Sequence, residues 1–382
     1  MLRVCNHPMR LGILGGGQLG RMLALAGYPL GMRAMVLDPA PEPCAAQVCE
    51  HRLGEFDDYR ALYDLARSCD VVTYEFENVP VESARWLADR VPVFPPPRAL
   101  EVAQDRLVEK RFLQELGVPV PPFAAVDNRP QLDSALREIG LPAVLKTRRF
   151  GYDGKGQQVL NSPADVEPAW TTLGGRPLIL EAFVPFDREV SLIAVRGRDG
   201  STVFYALTEN QHCQGMLFQS RAPLTDTAEE LTERAQEYTT RVLDALDYVG
   251  VLAIEWFQDG GQLLVNEMAP RVHNSGHWTI EGAVTSQFEN HVRAVFGLPL
   301  GSSKVCGYVG LINLIGSHPP LPAMLAVPTA RVHTYGKVPR PRRKIGHVTF
   351  VAATAEEREA NMTAWLDRFP PEADGSRQEP QP

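Results

Sequence analysis

Val251-Leu252-Ala253-Ile254-Glu255-Trp256-Phe257 and Leu263-Leu264-Val265-Asn266-Glu267 flank the turn signal Asp259-Gly260-Gly261. Two apolar runs around such a turn predict an antiparallel hairpin. Each run carries one glutamate among side chains that favour burial, and an isolated carboxylate is costly to bury. If the turn uses Gly260, Gly261 and Gln262, then Glu255 and Glu267 fall opposite each other on one face. Like charges so placed repel unless a cation lies between them. Mg²⁺ bridging nucleotide phosphates, held by few carboxylates and completed by phosphate and water, suits that arrangement. A two-residue turn would instead put the glutamates on opposite faces, and two exposed edge-strand glutamates are the plainer alternative.

Upstream, Ala143-Val144-Leu145-Lys146-Thr147-Arg148-Arg149 is an apolar strand ending in cations, and Phe150-Gly151-Tyr152-Asp153-Gly154-Lys155-Gly156-Gln157 follows it. A strand that delivers a lysine, then a Gly151-x-x-Gly154-x-Gly156 loop, can grip a nucleoside triphosphate through ammonium charge and backbone N–H groups. It is not a Walker A loop, because no Gly-Lys-Ser/Thr precedes a helix. A solvated hairpin tip is the alternative. Downstream of the carboxylates, Met268-Ala269-Pro270-Arg271-Val272-His273-Asn274-Ser275-Gly276-His277 gathers groups able to hold a small oxyanion. His273 and His277 are four apart, but Pro270 and Gly276 disfavour a helix and no cysteine or intervening glutamate completes a zinc motif.

Toward the N-terminus, the strand Leu11–Leu14 runs into Gly15-Gly16-Gly17-Gln18-Leu19-Gly20, then a helix over Arg21–Ala26 and a strand over Arg33–Leu37 ending at Asp38. Further strands are predicted at Asp70–Glu75 and Val91–Phe94, with a helix at Arg85–Arg90. Strands alternating with helices imply a parallel sheet. Gly15-x-Gly17-x-x-Gly20 with Asp38 fits a dinucleotide fingerprint, yet the same turn can hold any small phosphate or close a strand–helix junction. Pro95-Pro96-Pro97 marks a boundary. One long helix is predicted over Ala99–Leu116, and a second hairpin at Arg198-Asp199-Gly200. Residues 305 to about 352 read as β-rich, and Pro370–Pro382 as a polar tail.

The 382 residues suggest two or three domains. A formal charge of −8 argues against a general nucleic-acid partner. The 31 glycines and 32 prolines place many chain reversals in a globular composition. Six cysteines (Cys5, Cys44, Cys49, Cys69, Cys213 and Cys306) show no C-x-x-C spacing, so scattered reduced thiols are expected. The start MLRVCNHPMR is too short and polar for a signal peptide, and no run approaches the ~18 apolar residues of a membrane span. A cytoplasmic protein with no membrane partner is expected. Lys337-Val338-Pro339-Arg340-Pro341-Arg342-Arg343-Lys344 is the one dense basic run. It lacks interleaved aromatics, so a monophosphate site accounts for it as well as a nucleic-acid patch or a solvated face does.

Taken together, Gly15–Arg21, Thr73-Tyr74-Glu75-Phe76-Glu77-Asn78-Val79, Gly151–Gln157, Asn266–His277 and Gly346-His347 resemble the ATP-grasp superfamily, and within it the N5-carboxyaminoimidazole ribonucleotide synthetases. They span nearly the whole chain in order. The resemblance departs only at the extension before Met9 and in the C-terminal tail. It implies a mixed α/β and α+β chain: a Rossmann-like domain over 1–98, an ATP-grasp domain over 99–300 split near 185, a small β-rich domain over 301–368 and a disordered tail over 369–382. It implies a carbon–nitrogen ligase that uses ATP, Mg²⁺ and bicarbonate to carboxylate aminoimidazole ribonucleotide in purine biosynthesis through carboxyphosphate, commonly as a homodimer.

Carried onto this sequence, the resemblance implies ATP contacts from Arg106, Lys146, Gly151, Gly154, Gly156, Gln157 and Asn266. Glu181, Ala182, Phe183 and Val184 would form the adenine linker, Glu189 would accept from the ribose, and His212 would touch the nucleotide. Glu255 and Glu267 would hold magnesium. Arg271, His273 and Asn274 would hold bicarbonate or carboxyphosphate, while Asp153 and Lys155 would orient the amine and the anionic intermediate. Gln18, Leu19, Glu75, Lys337, Arg343 and Lys344 would bind the ribonucleotide. A dehydrogenase built on the first loop leaves Lys146, the second loop and the carboxylate hairpin unexplained. Two nearer rivals are a different ATP-grasp ligase, such as a formate-dependent glycinamide ribonucleotide transformylase, and a non-catalytic ATP-binding module.

Overall fold

A computed structural model describes residues 8–151, 153–226 and 229–371. Most of the N-terminal extension, the expected tail from 372 onward and Tyr152 of the second glycine loop lie outside the described residues.

The first unit is a four-stranded parallel sheet in the order Glu50–Leu53, Arg33–Asp38, Arg10–Leu14, Val71–Tyr74. The strand expected at Val91–Phe94 does not form. Only a single parallel bridge joins Val72 to Val93, because Pro92 has no N–H to donate and three prolines follow. The long helix expected over Ala99–Leu116 is two helices, Pro97–Ala103 and Arg106–Glu115. Between them Asp105 is extended, and its carboxylate accepts the N–H groups of Leu107 and Val108 as an N-cap. The break re-aims the second helix, which then packs on the carboxylate hairpin.

A second four-stranded sheet, antiparallel, runs Phe123–Val126, Leu178–Ala182, Ala143–Thr147, Gln157–Leu160, and is covered by Arg129–Ile139 and Val166–Leu173. The third sheet is antiparallel and nine-stranded. Its order is Gln262–Ala269, Gly250–Asp259, Arg188–Arg196, Thr208–Cys213, Met216–Ala222, Tyr308–Ile315, Lys344–Ala352 and Ala330–Thr334, with Thr202–Phe204 also on Arg188–Arg196. The C-terminal strands therefore continue the same sheet, through pairs such as Gln219 with Ile312. Leu192, Ile254 and Trp256 are fully buried in the layer between this sheet and its helices, and burying one large apolar side chain contributes about 1.5–3 kcal/mol. Among the described residues no helix is long and apolar enough to cross a membrane.

Candidate active site

The hairpin turn has two residues, Gly260 and Gly261, since Asp259 pairs with Gln262. Straight pairing would set Glu255 against Asn266. A β-bulge intervenes: Trp256 pairs with Val265, Asn266 is left over, and Glu255 stands opposite Glu267. The two glutamates thus face each other as expected, but through a bulge and not a three-residue turn. Burial pushes the Glu255 carboxyl up to about 7, helped by the charge of Glu267 and opposed by His212. Burial also works against the Glu267 carboxylate, yet Arg106, Lys146 and Arg271 outweigh it and hold that group below its ordinary range. Arg106 Nη1 donates to Glu267 Oε2 at 2.9 Å.

Lys146 does not project freely. Its ammonium donates to Glu181 Oε2 at 3.0 Å, and Lys110, absent from the sequence-based site, stands 3.5 Å from the same oxygen. Burial alone would raise Glu181, but Lys110, Lys146 and Arg106 hold it at about 2. Glu181 is therefore a buried counter-ion whose side chain faces two lysines. In the linker beyond it, the N–H groups of Ala182 and Phe183 are committed to the carbonyls of Pro122 and Pro142, so neither can also read a base. Val184 is buried beside them. Glu189 Oε2 lies 2.6 Å from His212 Nδ1, so the expected ribose acceptor already has a partner.

The loop after the hairpin is fixed by its own bonds. Arg271 Nε donates to Glu77, a residue given no role from the sequence. His273 Nδ1 accepts from the Ser275 N–H, which leaves the ring proton on Nε2, 3.5 Å from Glu255 Oε1. Burial, then Arg271 and Lys344, pushes His273 well below the usual histidine range, so it is neutral. Asn274 and Asn313 exchange side-chain amide bonds at 3.1 and 2.6 Å. Asn274 thus spends its carbonyl and one of its two amide N–H donors on Asn313.

The glycine loops differ from what their spacing predicts. In Gly15–Gly20 the anion cradle is filled by the chain itself: Gly17 N–H donates to Glu75 Oε1 and Gly20 N–H to Glu75 Oε2 at 2.7 Å. Gly15 has φ +103°, and a Cβ on Gly17 would collide with the Glu75 carboxylate. Asp38 accepts from Gly16 at 2.7 Å and from Ala40 at 2.8 Å. Both acids around the supposed dinucleotide fingerprint are spent internally, so no pyrophosphate fits there.

In the second loop, Asp153 Oδ1 is bound by Lys344 at 2.9 Å and its carbonyl by Arg342 at 2.7 Å. Asp153 and Lys344 therefore hold each other, where the resemblance has each holding substrate. Gly154 and Gly156 have φ +75° and +73°. Gln157 pairs with Lys146 across the sheet.

One cleft of about 630 Å³ gathers most of the expected residues. Gln18 and Leu19, at the start of the helix Gln18–Gly27, and Glu75, just past the strand Val71–Tyr74, line it from the first unit, and Arg106, Glu267, Arg271, His273 and Asn274 from the hairpin region. Gly151, Asp153 and Lys155 line it from the second loop, and Lys337, Arg343 and Lys344 from the basic run. Lys337 also donates to Gln18 Oε1, joining two residues expected to share one ligand. Lys146, Glu181 to Val184, Glu189, His212, Glu255 and Asn266 are not on its wall. Among the described residues no group of three or more His, Cys, Asp or Glu is arranged to hold a metal ion.

The chain matches three family descriptions in order: the ribonucleotide synthetase preATP-grasp domain over 9–104, the ATP-grasp domain over 111–288 and the phosphoribosylaminoimidazole carboxylase C-terminal domain over 310–361. It is 52% identical over 362 residues to the N5-carboxyaminoimidazole ribonucleotide synthase of Pseudomonas aeruginosa, covering 94% of this chain and 100% of that one. It is 38% identical to the Bacillus subtilis protein of the same name, over 94% of this chain and 96% of that one. The crystal structure of the Thermus thermophilus N5-carboxyaminoimidazole ribonucleotide synthetase superposes with TM-score 0.90 at 55% identity, over 97% of this chain and 100% of that one. The Aspergillus clavatus synthase, crystallised with ADP and 5-aminoimidazole ribonucleotide, superposes with TM-score 0.88 at 31% identity, over 94% of this chain and 98% of that one. The chain belongs to the N5-carboxyaminoimidazole ribonucleotide synthase family of ATP-grasp ligases.

Proposed function

We propose that this protein carboxylates the exocyclic amine of 5-aminoimidazole ribonucleotide with bicarbonate at the expense of ATP, giving N5-carboxyaminoimidazole ribonucleotide, ADP and phosphate. The observation that carries the reading is the opposition of Glu255 and Glu267 beside Arg106, with Glu267 and Arg106 lining a cleft that Lys337 and Arg340 to Lys344 of the basic run also line. A polyphosphate and a monophosphate both find charge complements there.

Arg106 and Lys146 neutralise phosphate oxygens of ATP. Lys146 can do so by sharing its ammonium with Glu181, whose second lysine partner keeps the carboxylate ionised. The linker Ala182–Val184 lies against adenine, Glu189 accepts from the ribose, and His212 beside it screens the carboxylate. Glu255 and Glu267 fit a hard divalent cation: both are oxygen donors, and burial first, then the charge of Glu267, raises Glu255 in the protein alone. Mg²⁺ bound there would draw charge from the phosphates and complete its shell with phosphate and water. Bicarbonate oxygen attacks the γ-phosphorus, the bond to the β-phosphate oxygen breaks, and ADP leaves carboxyphosphate behind. Arg271, oriented by Glu77, faces that anion, and neutral His273 presents its Nε2 proton. Lys155 and the Asp153–Lys344 pair sit where the amine and the ribonucleotide meet the intermediate. The amine nitrogen then forms the C–N bond, phosphate departs and the amine proton is lost. Gln18, Leu19, Glu75, Lys337 and Arg343 hold the ribonucleotide. A homodimer in the cytoplasm belongs to the same reading, and sedimentation would test the dimer.

The deciding experiment is phosphate release from ATP with and without bicarbonate and the ribonucleotide. Release stimulated by the ribonucleotide in the presence of bicarbonate is expected. Stimulation by formate with no response to bicarbonate would move the assignment to another ATP-grasp ligase.

A further inference from the structure

A regular β-strand points successive carbonyls in opposite directions, so one donor does not serve two in a row. Lys110 does. Its Nζ donates to Val265 O at 2.7 Å and to Asn266 O at 2.8 Å. It reaches both because the strand is bulged there, with Asn266 left between the Trp256–Val265 and Glu255–Glu267 pairs. The neighbouring Glu109 accepts the Met268 N–H at 2.6 Å, just past the bulge. Neither is a surface charge: Lys110 is 0% exposed and Glu109 2%. A buried ammonium is costly unless it is bonded, and here two carbonyls and Glu181 surround it.

We propose that Lys110, with Glu109, is a positioning residue that fixes the bulge and thereby holds Glu255 and Glu267 on one face for the divalent cation of the bound nucleotide. The inference rests on the reading of those glutamates as cation ligands. Lys110 acts through the backbone of Val265 and Asn266, whereas Arg106, on the same face of the helix, contacts Glu267 itself. Without the clamp, the strand can relax to the straight register set by its two-residue turn. That register carries Glu267 to the other face.

The test is Mn²⁺ binding to the ADP complex, read by electron paramagnetic resonance, beside calorimetric binding of metal-free ADP. Lys110→Met is expected to weaken Mn²⁺ by about 10-fold or more, as when a group that orients a metal ligand is removed, with metal-free ADP weakened much less, because Lys110 reaches the nucleotide only through Glu181 and Lys146. Glu109→Leu should act in the same direction, while Glu109→Gln keeps a carbonyl acceptor for Met268 and restores binding. Wild-type Mn²⁺ affinity in folded Lys110→Met and Glu109→Leu proteins overturns the proposal. If Lys110→Met does not fold, the two Glu109 variants decide by the same criterion. The double variant Glu255→Gln, Glu267→Gln separates the two claims. Undiminished Mn²⁺ binding there removes the glutamates as ligands. Its loss there beside an intact Lys110→Met leaves them standing and the clamp refuted.

Discussion

Glu255 stands opposite Glu267 because Asn266, between Val265 and Glu267, has no cross-strand partner. Deleting Asn266 removes the bulge and lets Glu267 follow Val265 directly, so straight pairing from the two-residue turn still sets Glu267 opposite Glu255. The deletion variant should fold, because the apolar pairs on the turn side keep their register. Its ATP turnover should fall by only about 10-fold, the scale of a lost supporting contact, because the facing carboxylates persist. Steady-state phosphate release measures this, and a loss of about 100-fold or more would show that the bulge itself, and not only the facing pair, is required.

Replacing both Glu255 and Glu267 by glutamine keeps volume and removes charge. Turnover is expected to fall by about 10²–10³-fold, as when preorganised electrostatic groups are lost. Circular dichroism should be unchanged. Substantial turnover in the double variant would exclude these carboxylates from catalysis.

Glu75 fills the cradle of the first glycine loop. Glu75→Ala strands the buried Gly20 N–H and the half-buried Gly17 N–H, at about 1–3 kcal/mol for an unmet buried group. Chemical denaturation should report that loss. Saturation by the ribonucleotide should weaken as well, since Glu75 lines the cleft. Wild-type stability in this variant would contradict an internal role for the carboxylate.

Lys337 and Arg343 test the monophosphate site. Truncating either to alanine should raise KM for the ribonucleotide by about 10-fold or more, the value of a charge-assisted hydrogen bond, with KM for ATP changed much less. Equal effects on both substrates would place the basic run elsewhere in the mechanism.

The Glu189–His212 pair carries a pH dependence. Burial works against the imidazolium, but the hydrogen bond and charge of Glu189 outweigh it and raise His212 from 6.5 to about 9. A histidine whose folded value is raised contributes stability that is complete below about pH 6.5 and is lost as pH climbs through about 9. The contribution is at most ~3 kcal/mol, reduced by the partial exposure of both side chains. Unfolding midpoints measured across that window should decline, and His212→Gln should flatten the decline. An undiminished slope in the variant would assign it to other groups.

Much of the fold could be read from local pattern. The hairpin at Asp259-Gly260-Gly261, the strand–loop–helix at Gly15–Gly20 and the lysine-bearing strand at Ala143–Thr147 all carry short-range signals that survive in three dimensions. The split at Asp105 was also legible in principle, since an aspartate inside a helical pattern is an N-cap signal. The bulge was not, because nothing in the residue type of Asn266 announces it. Lys110 and Glu109 look like ordinary surface charges of an amphipathic helix, and their partners lie more than 150 residues away along the chain. Long separation along the chain likewise hid Asn313 behind Asn274 and Glu77 behind Arg271. For Glu75 the sequence could show a carboxylate near a glycine loop, but not that the loop would close on it.

Gln262–Ala269 is the terminal strand of a nine-stranded sheet, and a bare terminal strand is a template on which another chain can add. Here its outer side is already taken. The Val265 N–H goes to Pro119, the carbonyls of Val265 and Asn266 to Lys110, and the Met268 N–H to Glu109. The side chains that shape the bulge therefore also cover this edge of the sheet over Val265–Met268, so edge protection there and the register of the glutamates share the same buried lysine.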